Sequence, residues 1–391
     1  MIAKRKIVLG VTGSIAAYKA VELLRALQKK GAEVRVAQTP AACRFVSSLT
    51  FEAISGYPVY TEVVPESSPE IRHTTLSSWG ELLVVAPATA NTIAKIAHGI
   101  ADTSVSELAL CMGKGIVCPA MNVRMFENRV TQENLQKLKE LGWEVVEPEE
   151  GYLACGEVGK GRLAATEEIV EAVEYWFTPK LLKGKKVVVT AGPTREYIDP
   201  VRFISNPSSG KMGYAVAKAA AAAGAEVTLI SGPTCLKAPY RVKRVEVESV
   251  EEMREAALKA FKEADVYISA AAIGDYRPKE RHSSKIKKGK GGLILELVRT
   301  PDILREVASL KREGQVVVGF AAETDNVIEN AREKLFRKRL DAVVANSVRS
   351  GVFGSDSTRA FFITAKECRE LQGSKEEVAL KIVELTAKLL S

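Results

Sequence analysis

Two short segments, far apart in the chain, contain residue types that can bind and activate small molecules. Residues 119–122 read Pro-Ala-Met-Asn, and residues 204–213 read Ile-Ser-Asn-Pro-Ser-Ser-Gly-Lys-Met-Gly. Their amides, hydroxyls and lysine can donate hydrogen bonds to carboxylates or phosphates. Each segment follows a strand-like run, and open α/β sheets bind ligands at the ends of their strands. Because each lies in its own half of the chain, the sequence predicts two chemistries in one polypeptide.

Strands and helices alternate along both halves, and they must position these segments. In the first half, β-branched runs and apolar periodicity predict strands at residues 7–12, 33–38, 82–86 and 115–118, and helices at 92–97, 104–112 and 128–141. In the second half they predict strands at 185–190, 224–231, 242–247, 265–270, 292–297, 316–319 and 342–345, and helices at 210–223, 250–263, 301–310, 327–337 and 375–390. The alternation predicts an α/β fold with two doubly wound, mostly parallel, Rossmann-like sheets. Since the pattern restarts near residue 180, we expect domains at 1–180 and 181–391.

Composition excludes several classes of protein. The 391 residues have a net charge of +8 and 46% apolar residues, which is ordinary for a globular protein whose ligands carry phosphate. No basic run is interleaved with aromatic residues, so nucleic-acid binding is not expected. The six cysteines show neither C-x-x-C pairs nor metal-ligand spacing, which is typical of free thiols in a reducing compartment. No apolar run approaches the length of a membrane span or a signal-peptide core. These observations predict a cytoplasmic protein that binds no membrane.

The loop after the first predicted strand, Gly13-Ser14-Ile15, suits a phosphate group. Glycine permits close approach, and the following helix begins with free N–H groups at the positive end of its dipole. Because the loop lacks G-x-G-x-x-G, it favours a mononucleotide over a dinucleotide. Later stretches reinforce a ligand site: small and hydrogen-bonding residues at 86–92, the 119–122 segment, and three glycines around a cysteine at 154–162, a composition typical of a mobile flap.

Two features of the second half have competing interpretations. Tyr214 and Lys218 form the Y-x-x-x-K pattern of short-chain dehydrogenases, but they lie on the first predicted helix, where no nicotinamide site precedes them. A chance match is therefore favoured. Residues 275–292 are polar and rich in lysine, and composition alone favours a disordered surface over a functional lid.

Taken together, the motifs resemble known enzyme families over essentially the whole chain. The first half resembles the flavin-dependent cysteine decarboxylases, and the second half resembles the phosphopantothenate–cysteine ligases, as in the bacterial bifunctional enzymes of coenzyme A synthesis. The resemblance is based on Gly-Ser-Ile-Ala-Ala-Tyr-Lys at 13–19, Arg72-His73, Ala-Pro-Ala-Thr-Ala-Asn at 86–91, Pro-Ala-Met-Asn at 119–122, Ala-Cys-Gly at 154–156 and the 204–213 segment.

For the first half, the resemblance implies a flavodoxin-like flavoprotein domain that uses FMN. In this family the substrate cysteine is oxidised to a thioaldehyde, its carboxylate leaves as CO2, and hydride returns to the resulting enethiol. By resemblance, His73 is the base or orienting group, Asn122 binds the substrate carboxylate, and Cys155 donates the final proton. Without the resemblance, a single His in a loop would commonly be a solvated side chain, and one Cys among six would commonly fill the core. The implied FMN contacts are Gly13, Ser14, Ile15, Thr39, Thr89, Ala90, Asn91 and Thr92.

For the second half, the resemblance implies an amide ligase that activates its acid with CTP and Mg2+. Asn206 would hold the acyl-cytidylate, with help from Arg202, and the residues that bind Mg2+ stay unassigned. Lys334 and Lys338 share one helical face, which without the resemblance would be typical of a solvated surface. The resemblance also favours a lid at residues 275–292. The implied CTP contacts are Ser269, Ala270, Ala271, Asp275, Lys285, Pro301, Asp302, Ile303, Leu304, Phe320, Lys334 and Lys338.

The sequence therefore predicts a bifunctional enzyme of coenzyme A biosynthesis. The ligase domain would join 4'-phosphopantothenate to cysteine, and the decarboxylase domain would convert the product to 4'-phosphopantetheine. The resemblance further implies a homo-oligomer with flavin sites at subunit contacts. Two alternatives stay open at this point: a flavin decarboxylase acting on peptides that end in cysteine, and a flavin-binding regulatory protein.

Overall fold

The computed structural model describes residues 2–61, 72–152, 156–288, 292–323, 325–347 and 357–390. The chain divides into two compact units, Met1–Phe177 and Thr178–Ser391. Among the described residues, none of the helices combines the length and apolar content that crossing a bilayer requires.

The first unit alternates strands and helices as the sequence predicts. A 3-10 turn at Ile15–Tyr18 precedes its first α-helix. Its strands are β1 (Lys6–Val11), β2 (Glu33–Gln38), β3 (Leu82–Ala88), β4 (Gly115–Pro119), β5 (Glu144–Val145), β6 (Glu149–Tyr152) and β7 (Val158–Arg162). Its helices are α1 (Lys19–Lys29), α2 (Pro40–Cys43), α3 (Ser48–Ser55), α4 (Arg72–Trp79), α5 (Ala90–His98), α6 (Ser104–Met112), α7 (Val123–Glu127), α8 (Arg129–Glu140) and α9 (Thr166–Phe177).

Five described strands of the first unit form a parallel sheet in the order β2-β1-β3-β4-β5. This is the flavodoxin-like order, whose ligand site lies where the order reverses, between β1 and β3. All seven residues of β3 are buried, since helices cover both faces of the sheet. Strands β6 and β7 form a separate antiparallel hairpin.

The second unit begins a new sheet. Its strands are β8 (Lys186–Ala191), β9 (Arg195–Tyr197), β10 (Phe203–Ser205), β11 (Glu226–Ser231), β12 (Val242–Glu246), β13 (Val266–Ser269), β14 (Tyr276–Pro278), β15 (Leu297–Arg299), β16 (Val316–Glu323), β17 (Ala342–Ser347), β18 (Ser357–Ile363) and β19 (Cys368–Ser374). Its helices are α10 (Lys211–Ala222), α11 (Val250–Phe261), α12 (Ile303–Ser309), α13 (Val327–Arg337) and α14 (Lys375–Ala387).

Eight described strands of the second unit form one sheet in the order β12-β11-β8-β13-β16-β17-β18-β19. The first six are parallel, and their chain order across the sheet is the 3-2-1-4-5-6 of Rossmann folds. Strands β18 and β19 extend the sheet in the antiparallel direction. The order reverses between β8 and β13, where a ligand site is expected. The predicted α/β class with two doubly wound, mostly parallel sheets is confirmed.

Two sequence-based interpretations need correction or comment. The strand predicted at residues 292–297 is wrong, because only Leu297–Arg299 is extended and it pairs with Tyr276–Pro278 outside the main sheet. The main-sheet strands that flank this segment in sequence, β13 and β16, already have partners on both sides, and Ile294 is 95% exposed. His73 lies in helix α4 and not in a loop.

The Y-x-x-x-K pair is built into the packing of the second unit. The buried Tyr214 hydroxyl lies 3.0 Å from the Ser231 hydroxyl and accepts a hydrogen bond from Thr234, also at 3.0 Å. Lys218 instead forms an ion pair with Glu376 at 3.2 Å. The two side chains therefore serve different contacts, which argues against the dehydrogenase interpretation.

Candidate active sites

In the first unit, Thr12 links the loops that follow β1 and β3. Its fully buried hydroxyl donates to the Pro87 carbonyl at 2.7 Å and accepts from the Thr89 N–H at 3.0 Å. The loop at Gly13 and the start of α5 are thereby held side by side at the point where the strand order reverses. A single side chain thus brings two predicted ligand loops together.

Several helix N-termini meet at this point. Ser14, Thr39, Thr89 and Thr103 are the N-caps of the 3-10 turn, α2, α5 and α6, and each side-chain oxygen accepts from a backbone N–H of its own helix. The remaining free N–H groups and the positive ends of the helix dipoles favour an anion at this position.

These caps line a cavity of about 530 Å3, which we call the first cavity. Its volume falls within the range of small-ligand sites, roughly 300–1,000 Å3. Seven of the eight predicted FMN contacts lie on its wall, and Ile15 lies on the neighbouring second cavity. The complete lining of the first cavity is Gly13, Ser14, Thr39, Pro40, Ala41, Thr89, Ala90, Asn91, Thr92, Lys95, Thr103, Ala120, Met121 and Met125.

The second cavity, of about 380 Å3, shares Ser14, Ala120 and Met121 with the first and contains Asn122. Asn122 is the N-cap of α7, since its Oδ1 accepts from the Arg124 N–H at 2.8 Å. Its Nδ2 donates to Glu157 at 2.8 Å. The structure therefore places the predicted carboxylate-binding amide beside the predicted flavin site.

The hairpin β6–β7 packs against the segment that contains Asn122. The Met121 N–H donates to the Gly161 carbonyl at 2.9 Å. A Cβ at Gly161 would lie 2.2 Å from the Met121 carbonyl oxygen, so only glycine permits this approach. Cys155 follows β6 in sequence and precedes β7, but it lies outside the described residues.

His73 lies on the wall of neither cavity. Its Nδ1 is 2.8 Å from Oε1 of Glu107 in α6, and the other oxygen of Glu107 accepts from the Tyr60 hydroxyl. The structure thus ties His73 to the helix whose N-cap, Thr103, lines the first cavity.

In the second unit, the third cavity, of about 550 Å3, lies beside the reversal of strand order. Ten of the twelve predicted CTP contacts line it, and Ala270 lines the adjoining fourth cavity. The lining of the third cavity is Ser269, Ala271, Ile273, Asp275, Tyr276, Arg299, Thr300, Pro301, Asp302, Ile303, Leu304, Arg305, Phe320, Lys334 and Lys338.

Lys334 of α13 and Lys338, the residue that caps the C-terminus of this helix, contribute positive charge to the third cavity. Lys334 Nζ donates to the Phe320 carbonyl at 2.6 Å, and burial, followed by the charge of Lys338, lowers the pKa of its ammonium. Lys338 Nζ donates to Asp302 at 2.8 Å. Burial would raise the pKa of Asp302, but hydrogen bonds from Lys338 and the Arg305 N–H outweigh it and lower the pKa. The pair at i and i+4 is therefore not a solvated face.

Asn206 lies next to the third cavity without lining it. Its Nδ2 donates to the carbonyls of Ala272 and Ile273, both at 3.2 Å. Arg202 forms an ion pair with the buried Asp199 at 3.1 Å and donates to the Ile286 carbonyl at 3.3 Å. The Ile286 N–H also donates to Asp199, at 3.2 Å.

Lys285 precedes Ile286 and is exposed, outside both cavities of this unit. The hydrogen bonds of Ile286 nevertheless hold this part of the predicted lid next to Arg202. The structure therefore places Asn206 beside Ile273 of the third cavity and Ile286, the neighbour of Lys285, beside Arg202, but it does not bring Lys285 to the cavity wall.

The fourth cavity, of about 170 Å3, adjoins the third through Ala271 and Phe320. It lies at the N-terminus of α10, where Ser208, Ser209 and Gly210 end the loop that contains Asn206. Across it are Asn346 and Lys375, and the buried Thr358 hydroxyl has no hydrogen-bond partner among the described residues. A helix N-terminus, a lysine and an unsatisfied hydroxyl suit an anionic group.

Sequence reasoning did not find Thr103, Met125, Asn346 or Lys375, although each lines a cavity. Thr103 had one local signal, since a threonine followed by Ser106 forms a capping box at the start of a periodic run. The others carry no motif, and only tertiary packing brings them to the sites.

Comparisons with known proteins agree with this division of the chain. Residues 1–178 match the family model Flavoprotein, and residues 182–390 match the model for the DNA/pantothenate metabolism flavoprotein C-terminal domain. The Coenzyme A biosynthesis bifunctional protein CoaBC of Bacillus subtilis (strain 168) is 46% identical over 399 residues, covering 100% of this chain and 98% of that protein. Its namesake in Haemophilus influenzae is 44% identical, over 97% of this chain and 96% of that protein.

Among solved structures, the crystal structure of the C-terminal domain of Coenzyme A biosynthesis bifunctional protein CoaBC is 43% identical to this chain. It covers 54% of this chain and 98% of its own, with a TM-score of 0.47.

The first unit is therefore a flavoprotein domain, and the second is a domain of pantothenate metabolism. The chain belongs to the family of bifunctional coenzyme A biosynthesis proteins. The prediction of a bifunctional enzyme with a flavoprotein decarboxylase half and a ligase half is confirmed.

Proposed function

We propose that the second unit joins 4'-phosphopantothenate to cysteine using CTP and Mg2+, and that the first unit decarboxylates the product to 4'-phosphopantetheine using FMN. The observation that carries the proposal for the ligase is the third cavity, where ten predicted nucleotide contacts from separate loops share one wall. For the decarboxylase, it is the meeting of the predicted FMN contacts in the first cavity.

In the ligase reaction, the carboxylate of 4'-phosphopantothenate attacks the α-phosphate of CTP, and pyrophosphate leaves. Lys334 and Lys338 neutralise the triphosphate, because they present two positive charges to the cavity. Asn206 holds the acyl-cytidylate, and the amino group of cysteine then attacks the acyl carbon and displaces CMP. The fourth cavity adjoins this site and suits the phosphate of 4'-phosphopantothenate.

The residues of the third cavity fit Mg2+ held mainly by the nucleotide. No group of three or more His, Cys, Asp or Glu side chains is placed to hold a metal within the described ranges. Asp275 and Asp302 nevertheless line the cavity. Mg2+ commonly binds through one or two carboxylates together with substrate phosphates, so these two aspartates are the proposed protein ligands.

The first cavity fits FMN by size and by chemistry. Four helix N-caps line it for a phosphate, and the small residues Gly13, Ala90 and Ala120 leave room for a flat ring. When bound, the flavin supplies oxidation of the substrate cysteine and the later return of hydride.

The residues of the first unit bind the substrate and move its protons. The Asn122 amide binds the substrate carboxylate until it leaves as CO2, and this requires Nδ2 to exchange Glu157 for the substrate. His73 Nε2 accepts a proton, since Nδ1 is engaged by Glu107. Cys155 donates the final proton. Because His73 lies on neither cavity wall, we place it at the subunit contacts of a homo-oligomer.

The test uses the full-length purified protein. It should bind FMN and turn yellow, and with 4'-phosphopantothenate, cysteine, Mg2+ and CTP it should release pyrophosphate and then CO2. ATP in place of CTP is the matched control and should give much less pyrophosphate. CO2 release from a cysteine-terminated peptide but not from 4'-phosphopantothenoylcysteine would favour a peptide decarboxylase. Flavin binding without any CO2 release would favour a regulatory protein.

A further inference from the structure

Two cations line the second cavity on the side of the substrate-binding amide. Lys19 is the first residue of α1, and Arg162 is the last residue of β7. Both lie on the wall that contains Asn122. Unlike the caps of the first cavity, which belong to the flavin site, neither cation has a role in the proposed chemistry.

These cations are poorly neutralised by the protein. Lys19 is half-buried, and its ammonium has no hydrogen bond or ion pair within the part of the chain that the structure describes. Arg162 has a long contact of 3.8 Å to Glu149. Burial and then the charge of Arg162 lower the pKa of Lys19, and Glu149 and Glu22 offset them more weakly. Two like charges side by side in a cavity become favourable when an anion binds between them.

The proposed substrate of this unit has two anionic groups, a carboxylate and a phosphoryl group. Asn122 offers a neutral amide, which suits the carboxylate because that group must leave as CO2. A phosphoryl group carries up to two negative charges and prefers paired cations, especially with an arginine fork. Resting on the proposed function, we propose that Lys19 and Arg162 bind the phosphoryl group of 4'-phosphopantothenoylcysteine and so determine the specificity of the decarboxylase.

The test compares two substrates that differ only in the phosphate, 4'-phosphopantothenoylcysteine and pantothenoylcysteine. In K19M and R162M, kcat/KM for the phosphorylated substrate should fall about ten- to a hundredfold, as expected for the loss of a charge-assisted hydrogen bond. For pantothenoylcysteine it should change less than about threefold, because that substrate makes no such bond. The preference for phosphate should therefore largely disappear.

Control variants separate this role from folding and charge. Lys29 lies at the other end of α1 and is exposed, so K29M removes the same charge from the same helix and should leave the preference unchanged. K19R keeps the charge and should retain most of the preference, whereas R162K keeps the charge but loses the arginine fork and should retain only part of it. Flavin retention checks that the first unit is intact.

Each other outcome overturns the inference. Equal losses on both substrates would assign the pair to the carboxylate or to the chemistry, and loss of bound flavin would assign it to the cofactor. If the preference for the phosphorylated substrate were unchanged in K19M and R162M, these residues would not bind its phosphoryl group, and the proposed function would still stand. The proposed decarboxylase function itself fails if the unaltered protein releases no CO2 from 4'-phosphopantothenoylcysteine.

Discussion

Thr12 should stabilise both the first unit and its flavin site, and replacing it with valine tests this. Valine has nearly the same shape but no hydroxyl. The T12V variant therefore loses the bond to the Pro87 carbonyl and the bond from the Thr89 N–H, at a position that is fully buried. Among the described residues, no other side chain is hydrogen-bonded to the Pro87 carbonyl or the Thr89 N–H.

The magnitude follows from the burial of the two partners. The Pro87 carbonyl is buried, and leaving it unsatisfied costs about 1–3 kcal/mol. Thr89 is half-buried at the cavity, where water can reach its N–H, so that loss is about 0.5–1.5 kcal/mol. We expect the free energy of unfolding to fall by about 2–4 kcal/mol, which moves the urea midpoint by about 1–2 M. Because Thr89 begins the helix that lines the first cavity, flavin affinity should fall about tenfold, equivalent to about 1.4 kcal/mol.

Tryptophan fluorescence provides the assay. All three tryptophans, Trp79, Trp143 and Trp176, lie in the first unit, so the signal follows this unit during urea unfolding of the full-length protein. Flavin affinity is measured by titrating FMN into the apoprotein. T12S retains the hydroxyl and should keep both properties close to the original. If T12V unfolds at the same urea concentration and binds flavin equally well, the linking role of Thr12 is refuted.

Four further variants test separate parts of the proposal. G161A should lower CO2 release at least about tenfold, because a Cβ 2.2 Å from the Met121 oxygen must displace the hairpin; unchanged pyrophosphate release in the same sample is the internal control, and unchanged CO2 release would contradict the argument. In the original protein, the KM for CTP should rise with pH below the ordinary lysine pKa of about 10.4, because burial lowers the pKa of Lys334 and its ammonium is therefore lost earlier. K334M should remove this pH dependence, and a CTP affinity that stays constant up to that pKa would show that Lys334 does not contact the nucleotide. N206A should still release pyrophosphate but accumulate the cytidylylated acid, as followed by phosphorus NMR, and normal amide formation would exclude the role of Asn206. C155S should release CO2 yet leave an oxidised, enethiol-type product in mass spectra, and complete reduction would exclude Cys155 as the proton donor.

The sequence predicts the ligand sites well where they depend on the ends of strands. Gly13 and Thr89 follow β-branched runs, and strands of a parallel sheet end on one edge, so their proximity in the first cavity follows from fold class. The helix at 104–112 is predicted with its observed bounds from its periodic apolar run, and the structure shows Thr103 as its N-cap. Local pattern is sufficient in such cases.

Where the prediction falls short, tertiary pairing decides the outcome. The hairpin β6–β7 contains Gly151, Gly159 and Gly161 and has little β-propensity, yet it forms because its backbone packs against Met121. The opposite holds for residues 292–297, whose apolar pattern predicts a strand although the main sheet offers no place beside it. The local sequence shows neither the packing partner of the hairpin nor the lack of a pairing partner in the main sheet for residues 292–297.

The two antiparallel strands at the end of the larger sheet protect its outer edge. Arg359 of β18 and Glu370 of β19 form an ion pair at 2.6 Å, and most of β19 is exposed and polar. Charged outer strands discourage two molecules from joining edge to edge. A version of the protein shortened before residue 357 would leave Ala342–Ser347 as the outermost strand, and its apolar Ala-Val-Val-Ala run would invite aggregation during overproduction.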